Sequence, residues 1–203
     1  MTAAAEMANE AAGREFPVLF MPGMVRAILN VLPGSWPAQP VDPSKPWKWQ
    51  TRRLGAQWTK RRPGDRLWVK ETWCVGAGYD GFPPSELPAN LRGICLHYLA
   101  DGEKPSWAGK TRVSIHMVRR ASRLLVEVMA VRREPVSQIS EEDGRAEGFR
   151  LRPCLINGER GQIMDFMDFT ARGGFCRAWC GMHGNDSWTR EDTVAVISFK
   201  RIT

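Results

Sequence analysis

The densest chemistry in this chain lies in one short run, Lys48-Trp49-Gln50-Thr51-Arg52-Arg53. A lysine and a hydroxyl three residues apart can face each other. A lysine crowded by other cations loses its proton more easily, and the free amine can then take one from a hydroxyl. That is the working principle of a lysine-assisted Ser or Thr nucleophile. The plainer reading is a basic loop that contains a threonine.

Aromatic residues crowd the same region. Trp36, Trp47, Trp49 and Trp58 lie in or beside the basic run, and aromatics interleaved with cations are what a base-stacking surface needs. Trp188 is a candidate to cover a cleft from the other side. Packing against the core is the alternative for each of them, and we read Trp68, Trp73 and Trp179 that way. For Trp49 and Trp188 both readings stay open. His116 stands near Arg119, Arg120 and Arg123, a grouping that fits a phosphate or base contact. A histidine satisfied in the wall of the fold is the alternative.

Cys176, Cys180 and His183 would fall at i, i+4 and i+7 of one helix, and thiolate with imidazole suits zinc. Gly181 and Gly184 interrupt that helix, and the fourth ligand would have to be Cys154 or another distant group. We therefore read free or buried thiols and expect no metal.

Several elements must position these residues. Residues 18–21 read as a short buried strand, and Pro22-Gly23 opens a helix to about Leu32 with Val25, Ile28, Leu29 and Leu32 on one face. Pro33, Pro37, Pro40, Pro43 and Pro46 then exclude helix and central strand, leaving an extended surface loop. Pro63-Gly64-Asp65 is a turn into a strand over Arg66–Val75. Gly76–Pro88 is a second loop, Ile94–Leu99 a strand and Arg123–Arg133 a long strand. Ser140 caps a short helix whose first turn holds Glu141, Glu142 and Asp143, with Asp143 at the capping-box position, and Gly148 ends it. Ile163–Trp179 reads as a helix broken at Gly173-Gly174, and Thr193–Ile202 as a closing strand. This pattern predicts one α+β domain over 16–203, built around an antiparallel or mixed barrel with two long surface loops and a proline-rich insertion at about 33–47. Residues 1–15 read as a flexible tail.

Composition agrees with a folded domain: 203 residues, 43% of them hydrophobic. No run of ~18 apolar residues occurs, so no membrane partner is expected. The Ala-rich start carries Glu6 and Glu10 and lacks the basic opening of a signal peptide, which predicts a cytoplasmic protein with free thiols. Net charge is +7 and uneven: nine basic residues face one acid between Lys45 and Lys70, and eight face one between Lys104 and Arg133. Such blocks suit a polyanion such as RNA or DNA, or a solvated face.

The order of motifs resembles the ASCH domain, a relative of the PUA domain, and in particular its prophage-encoded members. The shared run is Met24-Val25-Arg26-Ala27-Ile28-Leu29, then Lys-x-x-Thr-Arg-Arg at 48–53, the Pro63-Gly64-Asp65 turn with Trp68-Val69, Ile139 to Gly148, and Phe199-Lys200-Arg201-Ile202. Ser114-Ile115-His116-Met117 with Ala121-Ser122-Arg123 adds to it. The resemblance implies a small PUA-like β-barrel with a cleft for RNA or a nucleoside. Some small bacterial members are amidohydrolases that remove the acyl group from N4-acetylcytidine without a cofactor. Carried over, Lys48 would ease deprotonation of Thr51, Thr51 would attack or position water, and Glu147 would act as general acid/base. Arg52 would steady the oxyanion. Three features depart from the pattern: Trp49 replaces the usual first Thr, the Gly-Arg before Lys48 is absent, and a proline-rich insertion separates the helix from Lys48. A non-catalytic module that reads RNA, DNA or a modified base is the alternative. Nuclease chemistry ranks below both, since paired histidines and a metal-binding carboxylate motif are missing.

Overall fold

The computed structural model describes residues 13–150, 170–190 and 192–203. Among the described residues, seven strands and four α-helices follow in chain order: β1 (Glu15–Leu19), α1 (Pro22–Leu29), β2 (Gln50–Arg53), α2 (Ala56–Thr59), β3 (Arg66–Lys70), β4 (Trp73–Cys74), β5 (His97–Tyr98), β6 (Leu125–Pro135), α3 (Glu141–Ala146), α4 (Ala171–His183) and β7 (Thr193–Arg201). Short 3-10 turns fill the connections. The architecture is mixed α+β, as expected.

The main sheet has the order β1-β3-β6-β7-β2, with β1 parallel to β3 and the other pairs antiparallel. One face of it buries Val18, Leu67, Val69, Val126, Val128, Ile197 and Phe199, and α1 lays Val25 and Ile28 onto that core. Full burial of each such side chain stabilises by about 1.5–3 kcal/mol. The long strand β6 alternates inward and outward as predicted until a bulge between Val128 and Ala130 shifts the register. Ala130, expected on the buried face, is therefore exposed.

No closed barrel is detected. The end strands β1 and β2 share no backbone hydrogen bond among the described residues. A side chain spans them instead: Arg53 Nη2, on β2, donates to the Leu19 carbonyl of β1 at 2.6 Å. The sheet curls until its edges approach, and side chains occupy the seam.

Several elements differ from expectation for identifiable reasons. Lys48–Arg53 is not a loop, since Gln50–Arg53 pairs with β7. The strand expected over Arg66–Val75 leaves the sheet after Lys70, where Glu71 turns inward to a bidentate pair with Arg123 at 3.0 Å. Trp73 and Cys74 then join β5 in a separate two-stranded sheet over a second core of Val75, Leu91, Ile94 and Met117. The strand expected over Ile94–Leu99 shrinks to two residues because Cys95 takes a left-handed conformation, φ 56°. The helix α1 stops at Leu29. Asn30 follows it, accepting from the Asp42 N–H at 2.8 Å and donating to the carbonyls of Asp42, Lys45 and Pro46 at 2.9–3.2 Å. One buried amide thus fixes the path of the proline-rich excursion. Ordered structure also begins before residue 16, because Glu15 lies in β1 and Arg14 pairs with Asp65 at 3.3 Å.

The helix α4 runs through Gly173-Gly174 without a break. Gly174 serves packing: a Cβ there would stand 3.1 Å from the Phe149 ring. Residues 163–169 of the expected helix, and Cys154, lie outside the described residues. Among the described residues no helix is long and apolar enough to cross a membrane.

Candidate active site

The segment before β2 is clamped on both sides. The Lys48 N–H donates to the Ala27 carbonyl of α1, and the Trp49 N–H to the Ala146 carbonyl of α3, each at 3.0 Å. Gly148 makes this approach possible. Its φ is +92°, and a Cβ there would press on Ala27 Cβ at 3.3 Å and Lys48 Cβ at 3.4 Å. Lys48 is thereby held against the C-terminal end of α3, where Glu147 follows the last turn.

Both side chains are buried. Lys48 Nζ lies 2.5 Å from Glu147 Oε2 and donates to the Glu147 carbonyl at 2.9 Å. Burial pulls the Lys48 ammonium below its ordinary pKa; the Glu147 charge and hydrogen bond oppose this, and Arg53 and Arg52 add to it.

Arg52 organises a carboxylate cluster behind the pair. Its guanidinium bonds Glu134 and reaches Asp143 Oδ2 at 2.9 Å and Glu147 Oε1 at 3.3 Å. Arg132 holds Asp143 at 2.7 Å and Glu134 at 3.1 Å, and Gln50 Nε2 bonds Asp143 at 2.9 Å. Period-two alternation on β2 explains why Gln50 and Arg52 meet the same partner. Burial opposes ionisation of Asp143, but the hydrogen bonds of Gln50 and Arg132 and the nearby arginine charges prevail and hold its pKa at about 2. Ser140 Oγ accepts from the Asp143 N–H at 3.0 Å, one half of the expected capping box, while the Asp143 carboxylate serves Arg52 and Arg132.

In front of these groups opens a cleft of about 280 Å³ at the seam between β1 and β2. Lys48, Thr51, Arg52, Arg53 and Glu147 line it together with Phe20, Met24, Trp58, Phe149, Phe175, Trp179 and His183. Thr51 is nearly buried, and its hydroxyl has no hydrogen bond among the described residues, to Lys48 or to any other group. Arg53 lies over the Phe20 ring at 4.9 Å and the Trp58 ring at 5.6 Å. Its Nε is buried without a partner, and burial draws its pKa below the usual arginine value.

The remaining sequence candidates lie outside this cleft. Trp49 stacks on Trp47 at 5.9 Å, and Trp47 carries Arg150 on its ring at 4.7 Å. Trp188 packs beside Phe175 and under Arg172. His116 is exposed on a 3-10 turn. Arg119 pairs with Glu15 at 2.8 Å, Arg120 donates to the carbonyls of Pro84, Ser85 and Leu87, and Arg123 is held by Glu71 and Asp101. Cys176 is buried within α4, where burial and the neighbouring Cys180 push its thiol up to about 11.

Of the aromatic wall, Trp58 was among the tryptophans singled out beside the basic run, while Phe20, Phe149 and Phe175 and the carboxylate partners Glu134 and Asp143 were missed. Period-two spacing from Arg52 to Gln50 was available as a signal for a shared partner, but nothing local pointed to which acids it would be. Comparison with known proteins finds no matching family model, no matching curated protein and no matching solved structure.

Proposed function

We propose that the cleft removes an acyl group from the N4 position of a modified cytosine nucleoside, with Lys48, Thr51 and Glu147 as the working set. The observation that carries this reading is convergence. Lys48 and Glu147, 99 residues apart in sequence, meet at 2.5 Å in a cleft that Thr51 also lines. A buried lysine with a lowered pKa is suited to share one proton with Glu147 and to spend part of its time as the free amine. In that form Lys48 takes the Thr51 hydroxyl proton while Thr51 Oγ attacks the acyl carbonyl. The C–N4 bond breaks as Glu147 gives its proton to the departing amine. Water then cleaves the threonine ester, passing a proton to Glu147 while Lys48 returns one to Thr51. Arg52, engaged by three carboxylates, acts here as a positioning residue for Glu147. We read the curled sheet as an ASCH-type, PUA-like barrel whose seam is closed by side chains, working in the cytoplasm and needing no cofactor for this step.

N4-acetylcytidine and its deoxy form, followed by the ultraviolet change on deacylation, provide the test. Wild-type protein should turn over at least one. Thr51→Ala should abolish the reaction, and Glu147→Gln should slow it by about 10²–10⁴-fold, the usual contribution of a positioned proton donor. Absence of turnover by the wild type on both would overturn the proposal for these substrates and favour the second reading. That reading is a module that binds a modified base or nucleic acid without cleaving it. It is favoured by one observation: Lys48 Nζ is bonded to Glu147 and makes no bond to Thr51.

A further inference from the structure

The charges around the cleft do not cancel. Glu134, Asp143 and Glu147 are matched by Lys48, Arg52 and Arg132, each within 4.0 Å of a partner. Arg53 is the fourth cation, and it has no carboxylate within that distance among the described residues. Its guanidinium lies within 4.9 Å of the Phe20 ring centroid and 5.6 Å of the Trp58 ring centroid. Its Nε is buried without a hydrogen-bond partner among the described residues, Nη2 serves the Leu19 carbonyl, and Nη1 makes no hydrogen bond among those residues. A desolvated arginine left short of acceptors is costly, and anionic oxygens are the acceptors its planar fork fits best.

We infer that the cleft is built for a ligand that brings its own negative charge to Arg53, either a carboxylate on the acyl substituent or a phosphate on the nucleoside. Naming a nucleoside rests on the deacylation reading; the need for an anion follows from the residues alone. Arg53 is then the residue that sets specificity, and a neutral acetyl nucleoside is a poor relative of the preferred substrate. The apolar rings beside the guanidinium lower the local dielectric, which strengthens a contact made there.

The test compares matched pairs: N4-succinylcytidine against its uncharged monoamide, and N4-acetylcytidine 5′-monophosphate against N4-acetylcytidine. One charged member should exceed its neutral counterpart in kcat/KM by roughly tenfold to a hundredfold, the range for a hydrogen bond to a charged group. Which pair shows the preference identifies the source of the charge. Arg53→Gln should remove the preference and Arg53→Lys should keep part of it; the lysine variant guards against a glutamine variant that does not fold. Equal kcat/KM within both pairs, or a preference that survives Arg53→Gln, would overturn the inference. If wild-type protein cleaves none of the four, the deacylation reading fails, and calorimetric affinities for the same intact pairs decide the charge question. Tighter binding of an anionic member, lost in Arg53→Gln, would sustain it; equal affinities, or no binding at all, would overturn it.

Discussion

Removing one partner of a buried ion pair typically costs about 3–5 kcal/mol, because the survivor is left charged and dry. In this protein Lys48, Arg52 and Glu147 form such a buried set, and the half-buried Glu134 and Asp143 extend it toward solvent, where the cost is smaller. Asp143 gives the set a readable signature in acid. Its carboxyl ionises at about 2 in the folded chain against an ordinary 3.8. A folded-state pKa below the unfolded one means that the stabilisation is present above about 3.8 and is lost as pH falls from there through about 2. Urea unfolding across that window should show stability falling with pH, and Asp143→Asn should be less stable at neutral pH with a shallower acid limb. Asp42, held at about 2 by its hydrogen bonds from Ser44, titrates in the same window but is unaltered in the variant. The difference between the two curves therefore isolates Asp143, and parallel curves would show that its network adds nothing.

The contact between α3 and α4 decides where Asp143 and Glu147 stand. Gly144 sits at that contact with so little room that a Cβ would lie 2.6 Å from the Ala171 carbonyl carbon and 2.7 Å from the Arg172 nitrogen. Alanine is a better helix former than glycine by about 1 kcal/mol, so propensity alone predicts that Gly144→Ala stabilises. Backbone atoms at that distance cannot yield, and overpacking of this kind costs about 1–3 kcal/mol. Packing should win: thermal unfolding of Gly144→Ala should show a lower Tm, with kcat/KM for the acyl nucleoside reduced as α3 is displaced. A raised Tm would show that the helices separate freely. This contact was invisible in the sequence, where nothing local marks Gly144 as a packing position. The elements with strong periodicity or sharp punctuation were legible, among them Pro22 opening α1, Ser140 and Gly148 bounding α3, and the alternation of β6. Lys48 and Thr51 stood out by residue type and spacing, but the placement of Thr51 on a strand and of Lys48 just ahead of it did not. The pairing of β2 with β7 joins residues 148 apart at Gln50 and Ser198, and no local pattern announces it. Glu71 failed for a related reason, since a buried glutamate becomes acceptable only when Arg123, 52 residues on, reaches it.

At the scale of the whole molecule, net charge and usable charge differ. The +7 excess and its two basic blocks suggested a polyanion-binding face. Yet many of those cations are spent inside the fold. Arg52 serves three carboxylates, Arg112 the carbonyls of Tyr79 and Phe82, Arg120 three loop carbonyls, Arg123 two acids, and Arg201 the carbonyls of Leu29 and Val31. They hold loops to the sheet, so the cations left at the surface of the two blocks are scattered ones such as Lys60, Arg62, Lys104, Lys110 and Arg133. Binding to a mixed-sequence single-stranded RNA should therefore be weak, in the ~10⁻⁴–10⁻⁶ M range of non-specific complexes at physiological salt. Each phosphate neutralised steepens the log–log salt slope by about 0.7, so about three exposed cations acting together give a slope near −2. Arg119→Ala with Arg120→Ala should lower Tm, by freeing the 84–87 loop, more than it lowers RNA affinity. Nanomolar binding with a slope steeper than about −4 would require six or more phosphate contacts. That result would make an extended basic face, and not the seam between β1 and β2, the principal working surface of this protein.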